Sequence, residues 1–129
     1  MPDELVRLLL VEDDPDIQEV ARMSLELVGG FSLTVCSSGA EALRVAPTSG
    51  AQLVLLDVMM PGMDGPETLA ALRGLDGFAQ VPTVFMTAKV QPTEVARFLE
   101  LGAVGVIAKP FDPMALPDQV RSLWRNAHV

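Results

Sequence analysis

Apolar residues in this chain follow two rhythms. Short continuous runs, such as Leu8 to Val11 and Leu53 to Leu56, are of strand length, and between them lie longer stretches in which apolar positions recur every three or four residues. Continuous runs mark strands buried on both faces and the recurrent spacing marks helices laid over them, so the alternation predicts βα units around a parallel sheet. The predicted strands are Arg7 to Val11, Ser32 to Cys36, Leu53 to Leu56, Thr83 to Met86 and Val104 to Ile107, which makes five pairs. All are Leu-rich or β-branched and none has an internal Pro.

Helix signals fill the intervals. The first helix spans Pro15 to Val28, with acids in its opening turns and Gly29-Gly30 to stop it. The second runs from Gly39 to Val45, entered through Ser37-Ser38, whose hydroxyls suit an N-cap. Asp64-Gly65-Pro66 opens the third, which fades by Gly74. The fourth runs from Pro92-Thr93 to Gly102, and the fifth follows Phe111-Asp112-Pro113 and extends to about Asn126. Helical spacing assigns Val20, Met23, Leu27, Phe98 and Leu101 to the core. Right-handed crossovers place the helices on both faces of the sheet.

Length and charge narrow the possibilities. At 129 residues, half of them apolar, the expected organisation is one domain over 1–129, with no stretch left for an output domain. Nine basic against seventeen acidic residues give a formal charge of -8, and no Lys/Arg run offers a basic patch, so direct nucleic-acid binding is not expected. The apolar run from Leu5 is interrupted by Arg7 and ends in Glu12-Asp13-Asp14, unlike a signal peptide or a membrane span, which predicts a soluble, cytoplasmic protein without membrane insertion. Cys36 is alone and reads as a buried thiol at a strand end.

The chemistry gathers at the strand ends. Glu12-Asp13, Asp57, Thr87 and Lys109 each follow an apolar run, and the carboxyl ends of parallel strands open into one crevice where such sheets bind ligands. Each residue has a plain structural explanation by itself: acids cap helices, Thr suits strands, and a strand-end Lys is usually solvated. Their placement after four separate runs makes the set specific. Clustered acids repel one another, and a hard cation removes that cost, so carboxylate oxygens with a carbonyl and waters point to Mg²⁺. Asp57 can then act as a nucleophile towards phosphorus, a reaction that relies on positioning and charge neutralisation. Glu12, Asp13 and Asp57 sum to minus three, while Lys109 and Mg²⁺ sum to plus three, so the loaded crevice no longer repels a phosphoryl group. Thr87, followed by the small Ala88, offers a hydroxyl to a phosphoryl oxygen.

The segments LLLVEDDPD, VLLDVMMPGMDG, VFMTAK and IAKPFDP, in this order, resemble those of receiver domains of two-component response regulators over essentially the whole chain. The resemblance implies a flavodoxin-like (βα)5 doubly wound α/β fold with strand order 2-1-3-4-5. It implies that Asp57 accepts a phosphoryl group from a phosphohistidine on a sensor histidine kinase or a histidine phosphotransfer protein. Glu12, Asp13, Asp57 and the Met59 backbone carbonyl would hold Mg²⁺, and Thr87 and Lys109 would sense the phosphate. Such a protein relays phosphate or switches binding to a downstream protein target, through the face of the fourth helix, fifth strand and fifth helix. It is not a turnover enzyme on a small substrate, although it catalyses its own phosphorylation and dephosphorylation. A cis Lys109-Pro110 peptide is also implied.

Two departures from that pattern stand out. Val106 lies where many receivers carry a Tyr or Phe that rotates inward on activation, so a weaker or unusual readout is expected. Met59, apolar and two residues after Asp57, cannot position a water for attack on an acyl phosphate, which predicts slow self-dephosphorylation. Ile17, Val20 and Phe111 fit either core or an apolar docking patch for a donor's helices, with core preferred for Val20. A haloacid-dehalogenase-like phosphatase would need an Asp where Met59 stands, and neither GxGxxG nor GxxxxGK[ST] follows the first strand. The alternative carried forward is a receiver-fold interaction module that phosphate does not switch.

Overall fold

The computed structural model describes residues 4–128. Five strands, β1 (Arg7–Val11), β2 (Ser32–Cys36), β3 (Leu53–Asp57), β4 (Thr83–Thr87) and β5 (Gly105–Ala108), form one parallel sheet in the order β2-β1-β3-β4-β5. This is the flavodoxin-like order. Strand side chains alternate between the two faces. Leu9, Val11, Val54, Leu56 and Phe85 face α2 (Gly39–Ser49), α3 (Gly65–Arg73) and α4 (Pro92–Glu100), burying Ala42, Ala46, Leu69, Leu72 and Phe98. Leu8, Leu10, Leu53, Leu55, Val84 and Met86 face α1 (Pro15–Arg22) and α5 (Leu116–Ala127), burying Ala21, Leu25, Leu116, Val120 and Trp124. Every residue of β3 and β4 is buried, as central strands covered on both sides require.

Several expected boundaries shift for identifiable reasons. α2 runs through Pro47 to Ser49, past the expected end at Val45. Ala46 is fully buried, and the Thr48 and Ser49 hydroxyls donate to the carbonyls of Val45 and Ala46, so the last turn is held by packing and side-chain bonds. α5 starts at Leu116 because Asp112 first closes a turn, accepting from Met114 through its carboxylate and from the Ala115 and Leu116 amides through its carbonyl. β5 is displaced by one residue from the expected Val104–Ile107.

The larger correction concerns α1. It continues as a π-helical segment, Met23–Val28, and its core side is made by Ala21, Ser24 and Leu25. Val20, Met23 and Leu27, expected in the core, are exposed, Leu27 at 79 %. Two neighbouring stripes of this helix have helical spacing, and the one with a polar member is the buried one. The Ser24 hydroxyl donates to the Pro113 carbonyl, which meets its polar requirement inside. Leu101 is exposed at the α4 C-cap, while Phe98 is buried as expected. Cys36 is buried, and burial is the main cause that pushes its thiol up to about 11.

Candidate functional site

The site is built by the carboxyl ends of β1, β3, β4 and β5. Glu12 follows β1 directly and is fully buried, with its amide extending the ladder to the Cys36 carbonyl at 2.9 Å. Asp57 and Thr87 are the last residues of β3 and β4, both buried. Lys109 follows β5, and its amide donates to the Thr87 carbonyl at 2.9 Å, so the backbone fixes these two relative to each other. The Lys109-Pro110 peptide is cis. One crevice of about 280 Å³ is lined by Glu12, Asp13, Asp14, Ile17, Asp57, Met59, Thr87, Ala88 and Lys109. Every expected site residue therefore lines the same crevice.

Lys109 is its central cation. Its Nζ donates to Glu12 Oε1 at 2.9 Å and to Asp57 Oδ1 at 3.0 Å, bridging the ends of two strands. Burial alone lowers the Lys109 pKa, but hydrogen bonds and attraction from Glu12 and Asp57 outweigh it and leave the ammonium above its ordinary value. Burial also pushes Glu12 up, against the lowering by the Lys109 and Asp14 hydrogen bonds, and with the neighbouring Asp57 charge its carboxyl reaches about 7. One ammonium cannot neutralise three carboxylates. Glu12, Asp13 and Asp57 each offer an oxygen, and these oxygens all lie within 4.8 Å of one another. Hard anionic oxygens gathered this closely suit Mg²⁺, which takes carboxylate oxygens together with waters.

Supporting contacts hold these groups in place. Asp14 caps α1, accepting from the Asp16 amide at 2.8 Å, while its own amide donates to Glu12 Oε2 at 3.1 Å. It stands beside the carboxylate set, as expected. The Gln18 side-chain amide donates to the Glu12 carbonyl and, at 3.1 Å, to the Ser37 hydroxyl. Sequence reasoning missed Gln18; its position one turn into α1 is the signal, because the Glu12 carbonyl needs a donor there. At the other side, a Cβ on Gly65 would lie 2.6 Å from the Asp57 carbonyl oxygen, so only Gly lets α3 begin this close to Asp57. Asp64 and Glu67 then complete a reciprocal capping box at the start of α3.

Next to the crevice lies an apolar groove of about 440 Å³, lined by Asp16, Ile17, Val20, Ala88, Lys109, Pro110 and Phe111. Ile17, Val20 and Phe111 therefore line one hollow, and Val20, preferred for the core, is 41 % exposed in it. Val106 is half-buried against the α2–α3–α4 face of the core. No described helix is long and apolar enough to cross a membrane.

Comparison with known proteins places this geometry in context. Residues 8–121 match the response regulator receiver domain family. The chain is 39 % identical over 121 residues to a DNA-binding response regulator MtrA of Mycolicibacterium smegmatis, covering 93 % of this chain and 51 % of that protein. It is 37 % identical over 119 residues to the uncharacterized transcriptional regulatory protein YkoG of Bacillus subtilis, covering 92 % and 51 %. The chain thus spans about half the length of these curated relatives. Among solved structures, the chemotaxis protein CheY4 of Vibrio cholerae superposes with a TM-score of 0.85 at 26 % identity, covering 93 % of this chain and 99 % of that one.

Proposed function

This chain belongs to the response regulator receiver domain family, and from that premise we propose that Asp57 accepts a phosphoryl group from a phosphohistidine donor. The observation that carries the proposal is the Lys109 bridge between Glu12 and Asp57, set in a crevice shared with Asp13 and Thr87. An Asp57 oxygen attacks phosphorus, the P–N bond breaks, and its electron pair returns to the donor imidazole, which takes up a proton. Glu12, Asp13, Asp57 and the Met59 carbonyl would hold Mg²⁺, which when bound neutralises the charge gathered around the transferred group. Lys109, held between two carboxylates, can follow the phosphoryl oxygens as charge moves onto Asp57. The Thr87 hydroxyl, which accepts from the Lys89 amide at 3.0 Å, keeps its own proton free to donate to a phosphoryl oxygen.

The donor is a sensor histidine kinase or a histidine phosphotransfer protein, and the groove of Ile17, Val20 and Phe111 is where its helices would rest, beside the nucleophile. Phosphorylation then either biases a two-state equilibrium read by a downstream protein or passes the group onward. The balance of 9 basic to 17 acidic residues disfavours nucleic-acid binding by this domain itself. The test uses phosphoramidate, a small donor with the same P–N bond. With Mg²⁺ it should phosphorylate the protein, and borohydride reduction followed by peptide mapping should find homoserine in place of Asp57. Homoserine at another acid, or none, would contradict the assignment.

A further inference from the structure

Met59 occupies an unusual place for a thioether. It is 68 % exposed, it lies two residues beyond Asp57, and its amide points to Asp57 Oδ1 at 3.4 Å. It lines the carboxylate crevice, and it also lines a second hollow of about 520 Å³ bounded by Val58, Met60, Pro61, Asp64, Pro66 and Arg97. The residue forms a ridge between two open depressions. Its neighbour Met60 and the strand residue Met86 are buried, whereas Met23 and Met114 are exposed away from the site.

We propose that Met59 is an oxidation site, and that converting it to the sulfoxide shortens the life of the phosphoryl group on Asp57. The second half rests on Asp57 being the phosphoacceptor. Hydrogen peroxide supplies the oxygen: the sulfur lone pair attacks one peroxide oxygen, the O–O bond breaks, and the other oxygen leaves as water, taking the proton of the oxygen transferred to sulfur. The change in hydrogen bonding is large. A thioether accepts weakly, whereas a sulfoxide oxygen accepts strongly and can hold a water by its proton.

Such an acceptor is what the crevice lacks. Glu12 and Asp57 hold the Lys109 ammonium, the clustered oxygens of Glu12, Asp13 and Asp57 are the ones that would face Mg²⁺, the Asp14 carboxylate takes the Asp16 amide, and Thr87 and Lys109 are donors towards phosphate. A water held by the Met59 sulfoxide would attack phosphorus; the bond from phosphorus to the Asp57 oxygen breaks, its electron pair returns to the carboxylate, and a water proton leaves with inorganic phosphate. Orientation by one good hydrogen bond supports a rate increase of roughly five- to tenfold.

The experiment treats the protein with limiting hydrogen peroxide, maps oxygen addition by peptide mass, loads with acetyl phosphate and Mg²⁺, removes the donor and follows the adduct by intact mass. Oxygen should appear on Met59 before Met60 or Met86, and the oxidised protein should lose its phosphoryl group five- to tenfold faster. Peroxide should leave the decay of Met59→Leu unchanged relative to its own untreated sample, and should still accelerate decay in the Met23→Leu/Met114→Leu protein. Equal decay before and after Met59 oxidation, or acceleration that persists in Met59→Leu, overturns the inference while Asp57 remains the acceptor. An untreated protein that takes no phosphoryl group overturns the acceptor assignment itself, and this inference with it.

Discussion

The carboxylate crevice and the apolar groove beside it share Ile17, Ala88 and Lys109, yet they differ in nearly every physical respect. The crevice is built at strand ends, where a buried sheet fixes the backbone, and its groups are held by mutual ionic hydrogen bonds. The groove is built from one face of α1 and the loop after β5, and its apolar side chains are left open to solvent. Rigid strand ends that hold carboxylates around one ammonium suit chemistry on a small anion once a metal adds its charge. An open apolar face suits a protein surface. Small donors should therefore depend on the crevice alone, and protein donors on both.

The largest effect that would break this division is loss of Lys109. Lys109→Ala leaves two buried carboxylates without their cation and should destabilise the metal-free fold by roughly 3 kcal/mol, measured by urea denaturation in EDTA. It should also slow phosphoryl uptake by at least about a hundredfold, the loss typical of a removed charge-stabilising group. Mg²⁺ should recover part of the stability and little of the rate. Wild-type stability without metal would show that the bridge is incidental.

Next in size is the groove. Val20→Asp should fold normally, since the side chain is exposed, and should react with phosphoramidate at the wild-type rate. Transfer from a phosphorylated histidine domain should fall by about tenfold, as expected when a contact worth about 1.4 kcal/mol is lost. Equal losses with both donors would merge the two regions into one.

A different test comes from pH. The Glu12 carboxyl lies at about 7, above the ordinary 4.5, so the folded metal-free protein holds an extra proton between those values. Stability without metal should fall as pH rises from about 5 to 7, because ν is larger in the folded state there. Mg²⁺ competes with that proton, so its affinity should rise over the upper part of the same window. Titration calorimetry at pH 6 and pH 8 would check the sign, and Glu12→Gln should remove both trends.

The smallest expected change is at Val106, half-buried on β5. Val106→Tyr should leave Asp57 phosphorylation intact and enlarge the amide shift changes of α4 and β5 on adding beryllofluoride. Identical shift changes in the two proteins would remove Val106 as the cause of a weak readout.

The two regions also differ in how far they could be read from the sequence. Glu12, Asp57, Thr87 and Lys109 each interrupt an apolar run, and parallel strands bring such interruptions to one edge, so the crevice followed from pattern plus topology. The groove did not. Val20, Met23 and Leu27 keep helical spacing as well as Ala21, Ser24 and Leu25 do, and periodicity alone cannot say which stripe faces the sheet. The deciding contact, from the Ser24 hydroxyl to the Pro113 carbonyl, spans 89 residues and leaves no local trace. The same holds for α2, where the expected end at Val45 is passed because a buried Ala46 and two hydroxyl bonds carry the helix through Pro47 to Ser49. Gln18 was hidden for a different reason, since its role appears only when the Glu12 carbonyl is asked for its donor.

The central claim is that Asp57 is a metal-dependent phosphoacceptor, and intact mass tests it most directly. Wild type and Asp57→Asn would be incubated with acetyl phosphate in Mg²⁺ and in EDTA. One phosphoryl adduct on the wild type in Mg²⁺, absent in EDTA and absent in the variant, is the predicted result. An adduct that survives the substitution or the chelator, or a folded wild type that takes none, would contradict it.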